Sequence, residues 1–136
     1  MPMRFDLPSP DDTTKPWWDA CNEGRLLIMR CGDCGKAYFY PRPFCPYCWS
    51  DNVDWEEASG RATLYTWSIV YQNDLPPFPE KIPYCAAIVD LAEGPRMMTN
   101  VVDCDFDALT IGMDLHVKFQ QHSEEFTIPV FVPAAA

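Results

Sequence analysis

The sequence predicts a mainly β protein: a short N-terminal helix, a small metal-stapled ribbon and a C-terminal barrel of five strands. Three observations carry that expectation. Cys31, Cys34, Cys45 and Cys48 form two C-x2-C pairs separated by ten residues, the spacing by which two tight turns present four thiolates to one metal ion. From Arg61 onward, five runs rich in β-branched and aromatic residues are parted by Gly, Pro and polar clusters, which is strand punctuation. One helix signal precedes them, from Thr13 to Gly24.

The helix opens at Thr13-Thr14-Lys15-Pro16, where threonine and an early proline are start signals, and closes at Glu23-Gly24, where glycine is the stop. It is about two turns long. Trp17 and Trp18 are adjacent, so their side chains point about 100° apart, and so short a helix cannot bury both against itself. One is expected to pack on the domain and the other to await a partner; the alternative is that both cap an apolar edge of the same chain.

The ribbon follows. Leu26 to Arg30 is a short apolar strand running into the first cysteine pair, and Ala37-Tyr38-Phe39-Tyr40 leaves it towards Pro41-Arg42-Pro43, which ends regular pairing. Each pair lies in turn chemistry, Cys31-Gly32-Asp33-Cys34-Gly35 and Cys45-Pro46-Tyr47-Cys48. The second is followed by Trp49, where such knuckles usually carry glycine. Four thiolates fill a tetrahedral shell and leave no position open for water or substrate, so the metal is a structural zinc rather than a reaction centre. Iron in a redox site with the same knuckles is the alternative, disfavoured because such sites space their pairs further apart. Zinc binding on the order of 10 kcal/mol would order a segment with hardly any core of its own.

In the last part, Ser59-Gly60 leads into Arg61 to Tyr71, the longest strand expected, with Gly60 supplying a bend or a turn. Gln72 to Pro83 holds prolines at 76, 77, 79 and 83 and apolar Leu75 and Phe78, and reads as an irregular loop. Strands are expected at Tyr84 to Leu91 and Arg96 to Val102, joined through Glu93-Gly94-Pro95, then at Leu115 to Phe119 and Phe126 to Val132. Five strands with a short helical turn near Asp105 to Leu109, between the third and fourth, is the order of an OB-type barrel. A sandwich fragment is the alternative. The organisation is then a helical segment over 1–25, a zinc ribbon over 26–58 and an OB-fold domain over 59–136.

Composition limits the function classes. Ten basic against twenty acidic residues give a net charge of −10, a field that repels phosphate backbones and argues against nucleic acid as the partner. The charge is uneven: between residues 15 and 42, Lys15, Arg25, Arg30, Lys36 and Arg42 outnumber Asp19, Glu23 and Asp33, a local +2. A small anion has somewhere to dock. Seven cysteines are an odd number, and with four on the metal, Cys21, Cys85 and Cys104 have no pairing plan, which suits a reducing, cytoplasmic compartment. Met1 to Asp6 does not read as a leader, and no run approaches the ~20 apolar residues of a membrane span.

An independent catalytic set is hard to find. His116 and His122 are the two histidines; the first alternates outward in Leu115-His116-Val117-Lys118-Phe119 and the second sits in a polar turn, so both read as surface residues. Cys21, Cys85 and Cys104 read as small buried hydrophobes. Asp103, Asp105, Asp107 and Asp114 take the spacing of a calcium loop, but Ala108 replaces its turn glycine and Asp114 its bidentate glutamate, so a solvated turn is the better account.

Together these segments resemble the zinc-ribbon and OB-fold family described as acyl-CoA-associated. The resemblance rests on Pro16-Trp17-Trp18, Glu23-Gly24-Arg25-Leu26, the rubredoxin-like four-cysteine ribbon with Pro41-Arg42-Pro43, Gly60-Arg61-Ala62-Thr63-Leu64-Tyr65-Thr66, Pro83-Tyr84, Glu93-Gly94-Pro95-Arg96, Ile111-Gly112-Met113 and Ile128-Pro129-Val130-Phe131. It implies a small accessory subunit, not catalytic by itself, of an enzyme acting on acyl-CoA thioesters. That enzyme would be a thiolase-fold, lipid-transfer-protein-like aldolase of steroid side-chain breakdown or, alternatively, a hydratase of the hot-dog fold. Trp17, Trp18, Leu75 and Phe78 are then the candidates for apolar contact with the partner, and Arg30, Lys36 and Arg42 for the CoA phosphates. The rival reading is a free-standing binding module for nucleic acid or protein.

Overall fold

In the computed structural model, which describes residues 7–75 and 78–134, the elements run α1 (Lys15–Asn22), β1 (Leu27–Cys31), β2 (Ala37–Tyr38), β3 (Val53–Glu57), β4 (Arg61–Val70), β5 (Tyr84–Leu91), β6 (Arg96–Val101), β7 (Asp114–Gln121) and β8 (Thr127–Pro133). Single 3-10 turns lie at Phe78–Glu80 and Phe106–Ala108. Met1–Asp6, Pro76 and Pro77, on which parts of the leader and loop expectations fall, lie outside the described residues.

Helix α1 has the expected extent, with a different start. Thr14 makes no side-chain cap; the Asp11 carboxylate instead accepts the N–H groups of Thr13 and Thr14 in the turn ahead of the helix, both at 2.9 Å, and the Asp11 carbonyl accepts Lys15 N–H at 2.8 Å, a donor the first helical turn leaves free. At the other end, Gly24 N–H donates to Cys21 O at 3.0 Å and Arg25 N–H to Ala20 O at 2.8 Å, the paired bonds of a glycine-stopped helix.

Strands β2, β1 and β3 form a three-stranded antiparallel sheet in that order, and the other five close into a barrel in the order β4-β5-β6-β8-β7, with β7 returning to β4. The β6–β8 pairing is parallel and the rest antiparallel. This is an OB-fold barrel. The sandwich alternative falls because β4 pairs on both sides, through Leu91 to Ala62 and through Ala62 to Leu115.

A bulge in β4 sets which residues face in. Leu64 pairs with Val89 and Thr66 with Ile88, so Tyr65 is the extra residue. Inward positions are Ala62 and Leu64 before the bulge and Trp67 and Ile69 after it, because one inserted residue shifts a period-two pattern by one. Tyr65 itself turns outward, where the Arg96 guanidinium stacks on its ring at 3.7 Å.

The core is continuous across the two sheets. Phe131, Leu64, Leu115, Val89 and Met97 of the barrel share one buried cluster with Leu26, Ile28 and Phe39 of the ribbon, and Ala58 N–H donates to Leu26 O at 2.8 Å. The ribbon is therefore anchored by its own strand β1 in the barrel's core.

Gly60 holds the junction. Its φ is +88°, and its carbonyl accepts Val117 N–H at 2.8 Å and lies 3.1 Å from His116 Nδ1. A Cβ here would come within 2.6 Å of Val117 Cγ1 and 3.0 Å of His116 Cε1. Gly60→Ala is expected to cost more than the about 1–2 kcal/mol of left-handed strain alone, because the β4–β7 closure must also shift. Urea melts of the two forms give the comparison.

Candidate functional site

Two knuckles of the same construction bring the four cysteines together. In the first, Gly35 N–H donates to Cys31 O at 3.0 Å and Cys31 N–H to Lys36 O at 3.0 Å; in the second, Trp49 N–H donates to Cys45 O at 2.9 Å and Cys45 N–H to Ser50 O at 2.8 Å. Backbone N–H groups of Asp33 and Cys34 point at Cys31 Sγ, and that of Tyr47 at Cys45 Sγ, each at 3.4 Å. The Asp33 carboxylate ties the knuckles by accepting from Ser50 Oγ and from Asn52 Nδ2.

The four sulfurs lie within 4.8 Å of one another, with Cys31 to Cys48 and Cys34 to Cys45 both at 3.6 Å. A tetrahedral zinc with bonds of about 2.3 Å needs sulfurs about 3.8 Å apart, so the set fits the ion. The donor chemistry agrees. The N–H of Cys34, with that of Asp33, pulls the Cys31 thiol down to about 7 against burial. At Cys48 the Ser50 N–H acts the same way, yet burial and the three neighbouring sulfurs outweigh it and push the thiol up to about 12. Four thiolates this close repel one another, and a divalent cation is what holds them all ionised. Among the described residues this is the one group of three or more His, Cys, Asp or Glu able to hold a metal; the Asp103 to Asp114 segment does not converge, and Asp103 pairs instead with Lys118 at 2.6 Å.

Trp49 occupies the glycine position with a φ of +66°. Its ring is 75% exposed and stacks on Phe44, centroids 5.3 Å apart and 11° from parallel. Left-handed strain of about 1–2 kcal/mol is set against a stacking gain of about 0.5–1.5 kcal/mol. Trp49→Gly removes both and is expected to leave stability within about 1 kcal/mol, whereas Trp49→Ala keeps the strain, loses the stack and is the less stable of the two. Both should retain one zinc per chain, which metal analysis beside thermal melts would check.

The remaining sequence-derived candidates divide into three places. Trp17 and Trp18 are both half-buried, in contrast to the expectation that one would stand free. Trp17 meets Phe39 edge-on at 5.9 Å, Trp18 meets Phe126 at 5.3 Å, and the two rings touch each other at 4.7 Å; as a T-shaped pair, rings 100° apart on the helix can share one apolar edge. Trp18 and Phe78 then line one cavity of about 710 Å³ with Phe106, Phe126, Ile128 and Val130. Leu75 stands out from the same loop as Phe78, 66% exposed.

Of the three cations, Arg30 is committed elsewhere. Its Nε and Nη2 each bond a Glu56 oxygen at 2.9 Å and its Nη1 the Gly35 carbonyl at 2.7 Å, so it braces β1 against β3 and the first knuckle. Arg42, with Tyr38, Tyr40, Tyr47, Asp90 and Arg96, lines a second cavity of about 590 Å³ between ribbon and barrel. Lys36 Nζ sits 4.9 Å from the Tyr47 ring. Sequence reasoning passed over Tyr40, Tyr47 and Arg96, because nothing in spacing shows that residues so far apart meet. His116 is exposed and His122 half-buried at the rim of the larger cavity.

A four-cysteine ribbon seated on an OB barrel through a shared core is the architecture of a two-part zinc-ribbon and OB-fold protein. Residues 18–54 match the family described as "ChsH2, rubredoxin-like zinc ribbon domain" and residues 55–120 that described as "ChsH2, C-terminal OB-fold domain". The chain belongs to this DUF35 family of zinc-ribbon and OB-fold proteins. It is 35% identical to a DUF35 domain-containing scaffold protein of Methanocaldococcus jannaschii, over 79% of this chain and 77% of that one. It is 36% identical to a probable enoyl-CoA hydratase alpha subunit of Thermomonospora curvata, over 87% of this chain and 36% of that protein. The chain thus spans about a third of that hydratase subunit. Among solved structures, a chain of an "Ltp2-ChsH2(DUF35) aldolase" superposes with a TM-score of 0.84 at 34% identity, covering 95% of this chain and all of that one. A DUF35 protein of Sulfolobus solfataricus, 12% identical with a TM-score of 0.63, shares the fold. Among the described residues, no helix is long and apolar enough to cross a membrane.

Proposed function

We propose that this chain is a non-catalytic accessory subunit that docks on an acyl-CoA-processing enzyme and shapes its acyl-CoA site. The observation that carries the proposal is the likeness, along nearly the whole length of both chains, to the DUF35 component of an aldolase. The partner is a thiolase-fold aldolase, with steroid side-chain retro-aldol cleavage as the reaction; a hot-dog-fold hydratase is the alternative. The metal supports this division of labour, since its four thiolates leave no coordination position for a substrate. Trp18 and Phe78, on the 710 Å³ cavity, and the exposed Leu75 are the apolar contacts offered to the partner or its acyl group. Trp17 props Trp18 in place. Cys21, its thiol pushed up to about 12 by burial, and the buried Cys85 are free thiols, in keeping with a reducing, cytoplasmic compartment.

The expected behaviour is asymmetric. The zinc-loaded chain alone should turn over no acyl-CoA ester in aldol-cleavage or hydration assays, while its addition to the partner should raise that enzyme's kcat/KM. Turnover by the isolated chain would end the accessory reading.

A further inference from the structure

The four cysteines of the ribbon are not equivalent. Each knuckle buries its first cysteine and exposes its second: Cys31 and Cys45 are inside, Cys34 and Cys48 outside. The backbone treats the sulfurs differently as well. The N–H groups of Asp33 and Cys34 bond the Cys31 sulfur and that of Tyr47 the Cys45 sulfur, each at 3.4 Å, and the Ser50 N–H acts on Cys48. Among the described residues no backbone N–H bonds the Cys34 sulfur. Hydrogen bonds to a thiolate stabilise its charge and make it a weaker nucleophile. Cys34 thus combines open access with the least restrained sulfur of the set.

A second sulfur stands ready beside it. Cys45 Sγ lies 3.6 Å from Cys34 Sγ, on the opposite knuckle, close enough for small turns of two side chains to reach a disulfide bond of about 2.05 Å. Cys31, on Cys34's own knuckle, carries two of the N–H bonds and is the poorer nucleophile. The remaining free thiols compete weakly. Cys21 and Cys85 are buried, which pushes both thiols up, and the half-buried Cys104 donates its thiol hydrogen to the Asp105 carbonyl at 3.3 Å.

We propose that the ribbon is a peroxide-responsive thiol switch, in which Cys34 is oxidised first and Cys45 closes a Cys34–Cys45 disulfide across the two knuckles. Cys34 Sγ attacks one oxygen of hydrogen peroxide; the O–O bond breaks, the sulfur keeps that oxygen as a sulfenic acid and the other leaves as hydroxide. Cys45 Sγ then attacks the Cys34 sulfur, the S–S bond forms and a second hydroxide leaves. Two solvent protons turn both hydroxides into water, so the two thiolates lose two electrons and one peroxide is reduced to two waters. Cys31 and Cys48 are left, half the shell that a structural zinc needs. A dithiol reductant, itself oxidised to its disulfide, returns both thiolates. The oxidised ribbon stays stapled across its knuckles where a chelated one comes apart. None of this uses a partner or an acyl-CoA, so the switch stands apart from the accessory-subunit reading.

The test exposes the zinc-loaded full chain to hydrogen peroxide, follows released zinc with a colorimetric chelator, and maps disulfides by peptide mass spectrometry after the free thiols are trapped. One zinc should be released per disulfide, Cys34–Cys45 should be the first bond to form, and a dithiol with added zinc should restore the starting thiol and metal content. Cys34→His keeps a zinc-binding side chain and removes the sulfur; once shown to hold one zinc, it should release it at least about tenfold more slowly. Cys48→His and Cys104→Ser should release zinc at close to the unmutated rate. The disulfide map of the unmutated chain decides the matter where a variant fails to hold metal. First oxidation at Cys104, a Cys31–Cys34 bond in place of Cys34–Cys45, sulfinic acid at Cys34 with no disulfide, zinc retained after the disulfide forms, or an unchanged release rate in Cys34→His would each overturn the proposal.

Discussion

Stripping zinc from the full chain is expected to unfold residues 27–57 while the five-stranded barrel keeps its structure. The ribbon sheet is small: β1 pairs with β2 through two residues and with β3 through five, and the knuckles are held by backbone bonds to loops. Coordination worth on the order of 10 kcal/mol therefore exceeds what this sheet gains unaided. Release leaves sulfurs that no longer share a cation, and unfolding removes the Cys34 and Asp33 N–H groups that hold the Cys31 thiol down, so protons replace the metal on the sulfurs. The sign follows: acidification favours the protonated, metal-free ribbon, and zinc is retained more firmly as pH rises. Cys45→Ser should act like the chelator. Hydrogen exchange before and after chelation reads it directly, as fast exchange confined to 27–57. Unchanged protection in a chain shown to be zinc-free would contradict the expectation. The barrel will feel some of the loss, since Leu26, Ile28 and Phe39 sit in its core.

Phe131→Ala is expected to cost about 3–5 kcal/mol, a fall in Tm on the order of 10–20 °C. The ring is fully buried and sits where the barrel closes. Phe131 pairs with Val117 of β7 on one side and with Val101 of β6 on the other, and its carbonyl accepts Val102 N–H at 2.9 Å. The β6–β8 contact is the one parallel pairing of the barrel and the thinnest seam in it. Removing the ring leaves a cavity directly behind that seam. Val132→Ala, one position away and half-buried, should cost no more than about 1 kcal/mol; thermal melts of the two variants separate core filling from mere strand propensity.

What could be read from the chain was mostly local. The two C-x2-C turns, the proline and glycine bounding α1, and the Gly-Pro hairpin at Gly94-Pro95 are fixed by neighbours in sequence, and the structure has them where expected. The barrel order was legible because five strands with a helical turn after the third leave few ways to close. The bulge at Tyr65 was not, since an inserted residue shows only when the partner strand is known; without it, Trp67 and Ile69 would have been assigned to the wrong face. The same limit applied to the candidate contacts. Arg30 looked free because Glu56, its partner, lies on another strand. The pairing of Arg42 with Arg96 and two tyrosines in one cleft depends on how the ribbon is docked, which no single segment encodes. Trp49 shows a further limit: a residue chosen against local backbone preference is explained only by the stacked Phe44.

The measurement that bears most directly on the accessory-subunit reading is native mass spectrometry of the tagged full chain, purified gently from its own cells. The reading requires one zinc per chain and a stoichiometric complex with a thiolase-fold or hot-dog-fold enzyme of acyl-CoA chemistry, weakened when Trp18 and Phe78 are both changed to alanine. A zinc-loaded chain that is monodisperse and alone, in cells where such an enzyme is present, would contradict it.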